Sequence, residues 1–140
     1  MRNIFELSKY DLWWLEDKFS RYNQLDKEIA IRKEELKIKQ TDENIGGGKS
    51  NTVSSPVENE VLKALNDEYI REREKWKKAI DSVYKQSTET EQKIIRDKFW
   101  SDTNYLSWQE VGALNDKART QIYEIRYSIL QRFAKKIGYI

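Results

Sequence analysis

Residues 107–133, SWQEVGALNDKARTQIYEIRYSILQRF, contain the pattern that decides the fold. Ser107 followed three residues later by Glu110 is a capping box, which marks the start of a helix. Asn115-Asp116 favours a turn. A longer helix is predicted from about Ala118, because apolar residues recur at helical spacing. That apolar stripe consists of Ile122, Ile125, Ile129, Leu130 and Phe133. The stretch therefore predicts a short helix, a turn and a longer helix.

A short helix, a tight turn and a second helix are typical of a helix-turn-helix. In that motif the second helix presents polar side chains to base edges in the major groove, and the first helix packs behind it. Gly112 allows the two helices to approach closely, and Val111 and Leu114 are predicted to face the stripe of the second helix. The alternative is a plain corner between two packed helices, which has no DNA role.

The residues left facing outward are the candidate DNA-binding residues. These are Lys117, Arg119, Thr120, Gln121, Tyr123, Glu124 and Arg126. The net charge of the chain is only +2, but residues 117–140 hold six basic side chains against the single acidic Glu124. A basic C-terminal helix is the pattern left by an element that contacts phosphates. The alternative is a solvated helix whose positive C-terminal end suits the helix dipole.

Two long helices are predicted before this region. The first runs from about Ser8 to Lys39 and ends near Thr41; its apolar positions are Phe19, Tyr22, Leu25, Ile29 and Leu36. The second is predicted as one helix from the capping sequence Ser55-Pro56-Val57-Glu58 to about Lys85. Its apolar positions are Val61, Leu65, Tyr69, Trp76, Ile80 and Val83. Residues 41–55 are predicted to form a Gly-rich loop, which favours an antiparallel hairpin.

We therefore predict an all-α fold in two domains. Residues 1–86 form the long antiparallel helical hairpin with loop 41–55, and residues 87–140 form the helix-turn-helix domain. The second domain opens with another capping box, Thr88 to Glu91.

Composition excludes several functional classes. The chain has no Cys and no His, so disulfides, Cys/His zinc sites and Ser-His-Asp triads are excluded. Gly48-Lys49-Ser50 lacks the earlier glycine of a phosphate-binding loop, and a predicted helix precedes it in place of a strand. We expect no enzyme activity, no metal and no cofactor. No membrane association is expected either, because no apolar run approaches about 18 residues and Met1–Ser20 lacks a signal sequence.

Residues Ser107–Phe133 resemble region 4 of bacterial sigma factors. The shared pattern is a Ser/Thr cap, Glu, an aliphatic-Gly pair, a turn, Arg and aliphatic residues spaced by three. The resemblance implies that Arg119, Thr120 and Glu124 read bases, with Gln121 and Tyr123 beside them. Ala118 stands where that family usually has a capping serine.

A second resemblance covers nearly the whole chain. The segments Asp42–Asn51 (DENIGGGKSN) and Ser55–Glu58, followed by the helix-turn-helix, resemble the RinA-, ArpU- and LtrC-type late-transcription activators of phages of Gram-positive bacteria. The resemblance implies an activator in the host bacterial cytoplasm that binds the late operon promoter and switches on packaging, structural and lysis genes. The expected partner of this chain is double-stranded DNA. Further candidate partners are host RNA polymerase, a second copy of the chain and a phage- or satellite-encoded regulator.

Two other functions fit the same pattern. A small terminase subunit also joins a helix-turn-helix to long helices, but it assembles into rings. A coiled-coil interaction protein would use the long helices alone and would not bind DNA.

Overall fold

The computed structural model describes residues 6–45 and 56–140, and the regular secondary structure in these ranges is entirely helical. The elements are α1 (Lys9–Ile45), α2 (Pro56–Asn66), α3 (Glu68–Gln86), α4 (Glu89–Ile95), a π-helical turn (Arg96–Trp100), α5 (Trp108–Leu114) and α6 (Arg119–Lys136). The all-α prediction is confirmed for this part of the chain. Helix α1 continues to Ile45, beyond its predicted end near Thr41, and the rest of the predicted loop, residues 46–55, lies outside the described residues.

The chain forms two compact units. The larger unit comprises Met1–Asn23 and Trp76–Ile140, and the smaller comprises Gln24–Lys75. This division differs from the predicted domains, which are separated after residue 86. Trp76, Ile80 and Val83 are buried in the larger unit together with the residues that follow α3. Their apolar stripe places the second half of α3 in the same unit as α4, α5 and α6.

Phe19 lies at the centre of the larger unit. Its ring centroid is 5.1 Å from that of Phe99 in the π-helical turn and 5.1 Å from that of Phe133 in α6. All three side chains are buried. The indole Nε1 of Trp100 donates to the Phe19 carbonyl oxygen at 2.9 Å. These contacts join α1, the π-helical turn and α6 around one aromatic core.

Both capping boxes predicted in the larger unit are confirmed. The Thr88 hydroxyl accepts from the Glu91 N–H at 3.2 Å, and the Glu91 carboxylate accepts from the Thr88 N–H at 3.1 Å. Ser107 and Glu110 form the same pair of bonds at 3.1 and 3.3 Å. The starts of α4 and α5 are therefore set by local side chains.

The prediction of one continuous second helix was wrong, because the helix breaks at Asp67. The Asp67 carboxylate accepts from the Ile70 N–H at 3.1 Å and so caps the start of α3. It also accepts from the Arg32 guanidinium at 2.8 Å. The Arg32 hydrogen bonds hold the pKa of the Asp67 carboxyl below its ordinary value.

This break changes which residues are buried in the smaller unit. Val61 and Leu65 were predicted as inward positions but are 53% and 61% exposed, and Tyr69 is also exposed. Ile70 is buried instead. The Arg73 guanidinium lies 3.2 Å from the centre of the Tyr69 ring and pairs with the Glu28 carboxylate at 3.0 Å.

The contacts of α5 confirm part of the predicted core. Val111 is fully buried, and so is Ile122 on α6, but Leu114 is 51% exposed and its predicted inward position was wrong. Trp108 and Gly112 complete the buried face of α5. Helical periodicity explains the difference, since Trp108, Val111 and Gly112 share one side of a short helix and Leu114 lies beyond its edge.

Replacing Ile122 with Ala should lower the free energy of unfolding by roughly 2–5 kcal/mol, because a large buried side chain is truncated and leaves a cavity. Thermal or urea denaturation of the full chain measures this change. The matched control is Leu114→Ala, which truncates a half-exposed side chain on the facing helix and should change stability far less. Equal effects of the two substitutions would contradict the packing described for α5 and α6.

Candidate nucleic-acid interface

A tight connection joins α5 to α6. The Gly112 carbonyl oxygen accepts from the N–H groups of Asn115 at 3.0 Å and Lys117 at 2.9 Å. Asp116 adopts a left-handed backbone conformation with φ of 55°, which aspartate tolerates better than most residues. The turn predicted at Asn115-Asp116 is thereby confirmed.

Side chains from the preceding element hold this turn. Asp97, in the π-helical turn, accepts from Lys93 Nζ at 2.9 Å and from the Asn115 side-chain amide at 3.1 Å. The same amide nitrogen donates to the Val111 carbonyl oxygen at 2.9 Å. Burial alone would raise the pKa of the Asp97 carboxyl, but the Lys93 and Asn115 hydrogen bonds outweigh burial and hold it below its ordinary value. Asp97 therefore links the turn to α4.

The side chain of Gln121 stabilises the start of α6. Ala118 has no side-chain acceptor, so it cannot act as a capping serine does. The Gln121 carboxamide oxygen instead accepts from the Ala118 N–H at 3.0 Å. Gln121 is exposed, but its oxygen is already used to stabilise the helix start.

The first two turns of α6 present an exposed polar surface. Arg119, Thr120, Tyr123 and Glu124 are all exposed, and the Arg119 guanidinium lies 6.0 Å from the centre of the Tyr123 ring. Within the described ranges, no hydrogen bond or ion pair involves the side chains of Arg119, Thr120 or Glu124. A shallow groove beside them is lined by Thr120, Tyr123, Glu124, Tyr127, Ser128 and Gln131. We call the four exposed residues Arg119, Thr120, Tyr123 and Glu124 the α6 N-terminal surface.

Two of the predicted site residues lie apart from this surface. Lys117 precedes α6 in the turn and is half-buried. The Arg126 guanidinium is largely buried and forms an ion pair with Glu16 of α1. The structure therefore uses Arg126 to connect α6 to α1, which sequence periodicity could not indicate, since the partner lies 110 residues away.

Sequence reasoning missed Lys98, which lies near the start of α5. Its Nζ is 5.8 Å from the centre of the Trp108 ring, and the Arg126 guanidinium is 5.8 Å from the same ring. Burial lowers the pKa of the Lys98 ammonium below its ordinary value; Arg126 acts in the same direction, and Glu16 opposes it. The π-helical turn sets the direction of Lys98, and no motif in the sequence indicates that turn.

The described residues provide neither a metal site nor a membrane-spanning helix. Among residues 6–45 and 56–140, no group of three or more acidic side chains is placed to hold a metal ion. In the same ranges no helix combines the length and the apolar character needed to cross a membrane.

Comparison with known proteins assigns the chain to a family. Residues 14–135 match the model of the family described as "Protein of unknown function (DUF722)". The chain belongs to this family. The match begins in the second turn of α1 and ends in the last turn of α6, so it includes both compact units. Neither the curated proteins nor the solved structures contain a match to the chain.

The Asp97 contacts predict a dependence of stability on acid pH. Because the folded-state pKa of Asp97 is lowered, its charged form stabilises the fold above the unfolded-state pKa of about 3.9. This contribution is lost as the pH falls through the folded-state pKa. Asp97→Asn should therefore lower the melting temperature at neutral pH and reduce the further loss on acidification below about pH 4.

The control for this measurement is Asp102→Asn, which alters an exposed carboxylate five residues further along the chain. Its melting temperature should follow that of the wild type across the same pH range. If Asp97→Asn and the wild type lost stability in parallel on acidification, the charged Asp97 carboxylate would contribute nothing to the stability of the fold.

Proposed function

We propose that α5 and α6 form a helix-turn-helix that binds double-stranded DNA, with the α6 N-terminal surface in the major groove. The observation that carries this proposal is the combination of a closely packed α5–α6 pair with an exposed polar helix start. Gly112 and Ile122 hold the two helices together, while Arg119, Thr120 and Glu124 remain available to a ligand. Recognition helices place their first residues against base edges in this way.

The chemistry of these side chains suits base recognition. The Arg119 guanidinium can donate two hydrogen bonds to O6 and N7 of guanine, and the Glu124 carboxylate can accept one from the N4 amino group of cytosine. Thr120 can hydrogen bond a base edge or contact a thymine methyl group. Tyr123 lies beside Arg119, with its ring centre 6.0 Å from the guanidinium. One helix surface thus offers donors, an acceptor and an apolar group.

We further propose that the chain is a sequence-specific activator of phage late genes. This part rests on the resemblance to late-transcription activators, which couple a helical hairpin to a sigma-region-4-like domain. Two ion pairs support an antiparallel hairpin in the smaller unit, because Glu28 pairs with Arg73 and Arg32 pairs with Asp67. From Glu28 to Arg32 the residue number rises along α1, while the partner's number falls from Arg73 of α3 to Asp67, which precedes that helix.

Replacing Arg119 with Ala should reduce specific DNA affinity by about 5- to 150-fold, which corresponds to about 1–3 kcal/mol for one bidentate base contact. Binding to scrambled DNA should change much less, because a base contact adds little to non-specific affinity. The measurement is a titration of wild type and variant against a site selected by the protein from a random duplex pool, and against its scrambled sequence, at one fixed salt concentration.

The matched control is Arg71→Ala, since Arg71 is an exposed arginine of α3 in the other compact unit. It should leave both affinities unchanged. An unaltered ratio of specific to scrambled binding in Arg119→Ala would contradict the recognition surface. Light scattering of the wild type tests the terminase alternative, because a ring of many subunits would contradict the activator.

A further inference from the structure

Cations and aromatic rings alternate from the π-helical turn, through Trp108 of α5, to the first turns of α6. Beginning in the π-helical turn, the order is Lys98, Trp108, Arg126, Tyr123 and Arg119. Each neighbouring cation and ring are within 6.0 Å, measured from the charged group to the ring centroid. We call these five residues the cation–aromatic row. It extends from the start of α5 to the start of α6.

The charges in this row are not equivalent. The Arg126 guanidinium is neutralised by its ion pair with Glu16. In the part of the chain that the structure describes, no hydrogen bond or ion pair involves the side chain of Lys98 or of Arg119. Lys98 is half-buried, and its ammonium is partly desolvated, which disfavours the charged form. An opposite charge beside a half-buried ammonium favours its charged form, so an anionic ligand bound at Lys98 would offset the effect of this burial.

The location of Lys98 points to one kind of anion. Lys98 lies against Trp108, the first residue of α5. In a helix-turn-helix the first helix crosses the DNA backbone while the second enters the major groove. In that docking arrangement a lysine beside the start of the first helix would lie close to a phosphate, whereas Arg119 at the start of the second would lie close to base edges.

We propose that Lys98 binds a backbone phosphate of the DNA strand that passes the start of α5. This inference rests on the proposed function, and it separates the two ends of the row by role. Lys98 adds affinity for any duplex, and Arg119 adds discrimination between sequences. The Arg126–Glu16 pair between them carries no net charge and holds α6 against α1.

The test is the salt dependence of binding to a short duplex of random sequence. Each phosphate contact contributes about 0.9 to the slope of log affinity against log salt concentration. Lys98→Gln should lower the magnitude of this slope by about 0.9 and weaken binding at low salt. Lys98→Arg should keep the wild-type slope because it keeps the charge. Lys78→Gln, at an exposed lysine of α3 in the same unit, should also keep it.

A melting curve of each variant accompanies the titration. Lys98→Gln should melt at or above the wild-type temperature, because it removes a half-buried charge that has no ion-pair partner in the described part of the chain. A lower melting temperature would show that Lys98→Gln binds less DNA because its fold is damaged, and this result would overturn the inference. An unchanged slope in Lys98→Gln, or an equal loss of slope in Lys98→Arg, would also overturn it while leaving the proposed function intact. If the wild type showed no salt-dependent duplex binding, both proposals would fail.

Discussion

The position of α6 depends on the close contact between Gly112 and Ile122. A Cβ atom at residue 112 would lie 3.0 Å from the Ile122 Cβ and 3.2 Å from the Lys117 carbonyl oxygen, so any other residue would force these neighbours to move by a few tenths of an ångström, and glycine avoids that shift. Ile122 is fully buried at this crossing. Rotating α6 to hide its first turns would expose Ile122, and this constraint keeps Arg119 and its neighbours on the surface.

The two halves of α6 therefore have different environments. Its second half is anchored in the aromatic core, where Leu130 and Phe133 are fully buried and the Phe133 ring packs against Phe19. Its first half buries Ile122 against Gly112 of α5 and presents an exposed polar surface on its other side. Arg126 lies between them, and its ion pair with Glu16 connects the helix to α1. The buried side chains fix the position of the helix, so the exposed side chains at its start can contact a ligand without any loss of core packing.

Local signals predicted much of this architecture, and contacts between distant residues explain what they missed. The capping boxes at Thr88 and Ser107 and the stripe through Ile122 and Phe133 depend on near neighbours in the sequence, so they could be predicted. The helix break at Asp67 combines a local cap on the Ile70 N–H with an ion pair to Arg32, and the ion pair, 35 residues away, has no local signal. The burial of Arg126 depends on Glu16, and the location of Lys98 depends on a π-helical turn; neither has a periodic pattern. The exposed α6 surface was thus predictable, whereas the neighbouring phosphate-binding candidate was not.

Methylation interference tests most directly whether the start of α6 enters the major groove. The DNA is a duplex that the protein selects from a random pool, methylated at guanine N7, which lies in the major groove. We predict that methylation of one or more guanines within a short site prevents binding, because the Arg119 guanidinium and a methyl group cannot occupy the same position. Selection of no preferred sequence, or binding that tolerates N7 methylation at every guanine of the selected site, would contradict major-groove recognition by α6.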